Sequence, residues 1–122
     1  MENIFSKDQL VIANDPFDGE YIGQYVSQNM LTGKSSYVKI LACTRYPSQR
    51  TIAYAHIMYE RKPYEYGSIH PFDDVEIRAY DGPVPEYNES VRIALDNAIE
   101  EAGTNGNMKV LAALRNHKLQ IA

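Results

Sequence analysis

Asp81-Gly82-Pro83-Val84-Pro85 divides the chain into two parts with different hydrophobic rhythms. Two prolines and a glycine within five residues interrupt strands and helices alike. Beyond this break, Val91, Ala94, Leu95, Ala98 and Ala102 recur at i, i+3, i+4, i+7 and i+11, one face of an α-helix. That helix is expected to start near Glu86 or Glu89, where acids complement the helix dipole, and to stop at Gly103. After a turn at residues 104–106, Asn107 can cap a second helix with an apolar stripe of Val110, Leu111 and Leu114. The second helix is expected to fade near His117, leaving Leu119-Gln120-Ile121 as a short terminal strand.

Before the break the period is two. Residues 21–28 set Ile22 and Val26 against Tyr21 and Tyr25, and residues 37–44 set Val38, Ile40 and Ala42 against Tyr37, Lys39, Leu41 and Cys43. Residues 51–60 and 75–80 alternate in the same way, and Thr32-Gly33-Lys34-Ser35-Ser36 has the chemistry of a turn. Leu10-Val11-Ile12 fits either a short strand or a helix entered through Ser6-Lys7-Asp8-Gln9. Short links between successive strands favour antiparallel pairing. The expected fold is therefore α+β: an antiparallel meander of four strands, followed by two C-terminal helices packed on one face. Residues 1–122 suffice for a single domain. The face left uncovered would carry tyrosines and aliphatic residues, which predicts a homodimer or higher oligomer.

Hydrophobic residues make up 44% of the chain and charged residues 23%, which sets it apart from disordered sequences. A single cysteine, Cys43, excludes an intramolecular disulfide and suggests a reducing, cytoplasmic setting. The first ten residues lack the apolar core of a signal peptide, and no apolar run approaches the roughly 20 residues needed to span a bilayer. The net charge of −4 argues against non-specific nucleic-acid binding. The sign nevertheless alternates: residues 34–62 hold six basic residues against one acid, and residues 63–104 hold ten acids against two basic residues. Residues 105–122 hold three basic residues and no acid, so the two basic segments could meet in an anion site.

Familiar catalytic arrangements are missing from the sequence. Gly33-Lys34-Ser35 lacks the earlier glycine and the following helix of a phosphate-binding loop. Asp15, Asp18 and Glu20 lack the spacing of a calcium loop, and the three histidines, His56, His70 and His117, lack the spacing of a zinc site. No catalytic role and no cofactor are expected. The segment from Arg61 to Phe72 interleaves cations with rings, including Tyr64 and Tyr66, a combination that can hold a phosphate and stack a base. A second polar patch contains Arg115 and Asn116, with Lys109, His117 and Lys118 nearby.

In length, layout and composition, with scattered Arg, Asn and aromatic residues, the chain resembles the phage anti-Thoeris sponge proteins of the first type. Those proteins bind cyclised ADP-ribose signals made by host TIR-domain enzymes and hold them without cleavage. The resemblance implies a homo-oligomer in the host cytoplasm with pockets near the helices. Arg115 and Arg92 would hold the pyrophosphate there, and Tyr66 or Phe72, with polar groups such as Asn97, would take the adenine. The leading expectation is thus a non-enzymatic protein that sequesters a cyclic nucleotide or ADP-ribose-derived signal. The alternative is a small protein-binding inhibitor or adaptor with no small-molecule ligand, using its acidic 63–104 surface or its tyrosines.

Overall fold

A computed structural model describes residues 5–52 and 57–121. Strands β1 (Leu10–Asp15), β2 (Gly19–Gln28) and β3 (Ser35–Arg45) form consecutive antiparallel hairpins. Next come β4 (Arg50–Ile52), β5 (Ile57–Tyr59) and β6 (Ile69–Asp73), then a 3₁₀ turn at Asp74–Glu76 and β7 (Ile77–Ala79). Helices α1 (Tyr87–Thr104) and α2 (Met108–Ile121) complete the α+β arrangement. The main sheet is five-stranded and antiparallel, in the order β6-β3-β2-β1-β7. It curls enough that β1 approaches β6, although two strands lie between them.

Three features of the sheet differ from the sequence reading. β4 and β5 pair with each other in a separate two-stranded ribbon, so residues 51–60 do not supply a strand of the main sheet. Residues 53–56, including His56, lie outside the described residues. The place expected for 51–60 is taken by β6, most of which lies in the Arg61–Phe72 segment read from the sequence as a candidate binding stretch and not as a strand. Pro71 is tolerated because β6 is an edge strand, where a missing amide need not interrupt a ladder. Finally, Leu10–Asp15 is a strand, and only Ile77–Ala79 of the expected 75–80 strand pairs with it.

Bulges account for the strand faces. Between the pairs Ile22↔Ala42 and Gly23↔Ile40 the register skips Leu41, so the side-chain alternation of β3 changes phase. Val38, Ile40 and Cys43 therefore share the helix-facing core, whereas Ala42 turns to the opposite face with Ile12 and Ile22. Tyr21 and Tyr25 are also buried on the helix side, and the small opposite cluster is flanked by Tyr80. The open tyrosine-rich face that motivated an oligomer is thus not formed by these residues. Gly23 is needed at the bend, since an added Cβ would lie 2.4 Å from Val38 Cγ1 and 2.5 Å from the Lys39 carbonyl oxygen.

Both helices form for the reasons legible in the sequence. The Glu86 carboxylate accepts hydrogen bonds from the amides of Asn88 and Glu89, capping α1. Asn107 accepts from the Val110 amide at the start of α2. α1 places Val91, Ala94 and Leu95 on the sheet, and α2 adds Leu111 and Leu114 to the same core. Residues 119–121 continue α2 instead of forming a strand.

Leu95 is fully buried. Leu95→Ala is expected to lower unfolding free energy by about 2–5 kcal/mol in urea titrations. Gly23→Ala is expected to cost about 1–3 kcal/mol through overpacking; an unchanged midpoint for either variant would contradict this account of the core.

Candidate functional site

Beyond its pairing with β6, β3 runs on to Arg45 and then into an irregular segment that faces residues of both helices across a groove. Ser90 of α1 secures this part, its hydroxyl accepting the Cys43 amide at 2.9 Å. Gln49 secures the next part: its side chain accepts the Arg61 amide at 2.9 Å and donates to the Arg61 carbonyl at 2.7 Å. One side chain thereby acts like a neighbouring strand for the chain leaving β5.

Tyr46 anchors the same segment to α2. Its hydroxyl lies 2.7 Å from His117 Nδ1, and His117 Nε2 lies 3.0 Å from Glu60 Oε1. The His117 ring is buried and the Glu60 side chain is half exposed, so the chain of bonds leads from the interior to the surface. With Nε2–H donating to the carboxylate, Nδ1 is free to accept from the tyrosine. Burial raises the Tyr46 phenol above its ordinary value, which keeps it protonated and able to donate.

A groove with a volume of about 310 Å³ opens between residues 44–49, α1 and α2. Ala94, Ala98 and Ala102 of α1, with Val110 and Leu114 of α2, give it apolar walls. Asn97 and Glu101 of α1 and Asn105, its C-cap, form a polar row, and Asn107 closes one end. Arg45 also lines it, but its guanidinium donates to Asn14 Oδ1 at 2.6 Å and to the Asp15 carbonyl at 2.8 Å. Among the described residues no cluster of His, Cys, Asp and Glu could hold a metal ion.

The residues singled out from the sequence do not converge on this groove; of them, Asn97 alone lines it. Arg61 is held by its contacts with Gln49, by a 3.3 Å ion pair with Asp18 and by the face of the Phe17 ring. Tyr64 is stacked between Tyr21 and His70, with ring centroids 5.2 and 3.7 Å away. Its hydroxyl donates to Asp18. Burial in this stack holds His70 below the usual histidine value, against the pull of Asp18. Phe72 is buried in the core, so it is not a surface for stacking a base. Tyr66 is exposed and meets Tyr87 edge-on. Arg92 pairs with Glu89 on the outside of α1, and Arg115 and Asn116 are exposed on α2. The two basic segments do touch, where Lys62 donates to Gln120 at 3.1 Å, but neither residue lines the groove.

Tyr46, Glu60, Glu101 and Asn105 were not singled out from the sequence. Helical spacing alone could have flagged the last two, since 97, 101 and 105 repeat every four residues. Tyr46, Glu60 and His117 are too far apart in sequence for any local pattern to join them.

Residues 18–119 match the family model described as Kinase associated protein B. No curated protein matches the chain in sequence. The crystal structure of kinase-associated protein B from Bacillus cereus superposes with a TM-score of 0.80 at 22% identity, covering 95% of this chain and 96% of that one. The match corrects the resemblance to anti-Thoeris sponge proteins: size, layout and scattered Arg, Asn and aromatic residues are shared by unrelated small folds, whereas the family model aligns with most of this chain.

Tyr46→Phe would leave His117 Nδ1 buried without its donor and should cost about 1–3 kcal/mol in urea unfolding. Burial also pushes the Cys43 thiol up to about 12 and the Tyr87 phenol up to about 12. Both groups stay neutral in the folded protein at pH values where the unfolded chain ionises. Their stabilisation is therefore complete below about pH 9 and lost as pH rises from there through about pH 12. Thermal melts from pH 8 to 11 should show this decline, and Cys43→Ser should lessen it while the tyrosine part remains; a stability that rises with pH across this range would contradict it.

Proposed function

The chain belongs to the Kinase associated protein B family, and from that premise we propose that it is a non-catalytic adaptor that binds a protein kinase through the groove beside α1. The observation that carries this reading is the groove's lining, an apolar floor with a rim of amides. A phosphorylated nucleotide calls for forked cations aimed at its pyrophosphate. Among the described residues the only cation in the lining is Arg45, whose guanidinium bonds to Asn14 and Asp15. A polypeptide needs apolar contact together with groups that both donate and accept hydrogen bonds, and asparagine side chains offer both. The name of the Bacillus cereus protein supplies the kind of partner.

Calorimetric titration of the full chain with purified protein kinases from the organism that makes it tests this. One kinase should give a saturable heat, weakened at least tenfold by Ala98→Arg or by Glu101→Lys. The second variant lies at an exposed position and keeps the test informative if the first does not fold. Binding indifferent to both would exclude the groove. Heat with cyclised ADP-ribose and with no kinase would restore the signal-sequestering reading.

A further inference from the structure

Two rows run along the groove-facing side of α1. Ala94, Ala98 and Ala102 form one; Asn97 and Glu101 form the other, which the C-cap residue Asn105, still in the helical region at φ −78° and ψ −7°, extends, and within each row the step is four residues. Four residues of α-helix rise about 6 Å. An extended chain repeats its side-chain and carbonyl directions every two residues, about 6.6–6.8 Å. Over the two steps from residue 97 to 105 the mismatch totals roughly 1.5 Å, which side-chain torsions can absorb. A helix wall with this spacing can therefore meet an extended peptide at every second residue.

The groups in the polar row are uncommitted. Among the described residues the side chains of Asn97 and Asn105 make no hydrogen bond, and Glu101 makes no ion pair. The other charges of α1 are arranged differently: Arg92 is paired with Glu89, and Asp96 with Lys118 of α2. Glu100, next to Glu101, is also exposed and without an ion pair among the described residues. The centre of the polar row is thus negative, with an amide one step to either side. Lys109 is exposed near the end of the groove but does not line it.

We propose that the groove binds an extended segment of a partner polypeptide that places a lysine or arginine at Glu101, a small apolar side chain over Ala98, and backbone amides at Asn97 and Asn105. This rests on the adaptor reading and specifies what the adaptor recognises. The unpaired Glu101 selects the cation by charge complementarity. Of the alanines only Ala98 is partly open, Ala94 and Ala102 being buried in the core, so the apolar contact centres on Ala98 and favours a small residue beside the cation.

A phage-displayed library of random seven-residue peptides, panned on the immobilised full chain, tests the inference. Enriched peptides should carry Lys or Arg with a small apolar residue beside it. By fluorescence anisotropy Glu101→Gln should weaken them roughly three- to fivefold and Glu101→Lys about tenfold. Asn97→Ala and Asn105→Ala should each weaken them about two- to tenfold. Enrichment of acidic peptides, affinity untouched by Glu101→Lys, or no enrichment would each overturn it. Kinase binding that still responds to Glu101→Lys while no peptide is enriched would leave the adaptor reading standing and remove this one alone.

Discussion

The arrangement depends on how the long strand β3 is covered after β6 stops pairing with it. β6 faces only Ser35–Lys39, with further bonds at Ile40. From Leu41 onward the outer edge of β3 would present bare amides to a buried region, a costly condition. α1 resolves it by placing the Ser90 hydroxyl against the Cys43 amide and Leu95 into the core beneath. β3 itself ends at Arg45, opposite Glu20 near the start of β2, and the groove is the space between the residues that follow and the two helices.

This also explains what the sequence made legible. The helices were readable because their signals are local: Val91, Ala94, Leu95 and Ala98 at helical spacing, Glu86 before α1 and Asn107 before α2. β2 and β3 were readable as strands, but the inward face of β3 was readable only as far as Ile40. The bulge at Leu41 obeys no local rule and arises from the pairing with Gly23, a contact across the hairpin. β6 was hidden because Gly67 and Pro71 look like loop residues, and only its position at the edge makes Pro71 acceptable. Alternation in residues 51–60 signalled strand character without saying which sheet would receive it.

The site was less legible for a related reason. Arg61, Tyr64 and Phe72 drew attention as cations and rings in a long connection, yet the same properties are used internally. Asp18 takes both the Arg61 guanidinium and the Tyr64 hydroxyl, and Phe72 fills the core. A cation beside an aromatic ring in sequence cannot show whether a carboxylate arrives from 40 residues away to occupy it. Conversely, the groove residues Ala98, Glu101 and Asn105 are ordinary helix residues whose arrangement acquires meaning only when residues 44–49 pass opposite them.

The walls of the groove are held differently from its polar row, and the contrast bears on recognition. Gln49 bonds both backbone groups of Arg61, and Tyr46 is tied through His117 to Glu60, so the segment facing α1 has little freedom left. A wall ordered before binding loses little conformational entropy on association. Asn97 and Glu101 project from a helix, and Asn105 from its C-cap, with only their side-chain torsions to settle. On the adaptor reading, the apolar walls then set where a partner segment lies, and the uncommitted amides and carboxylate decide which sequence is accepted. Specificity of this kind resides in a few exposed polar groups on rigid supports, which is why it left so faint a trace in composition and so clear a one in the spacing of α1.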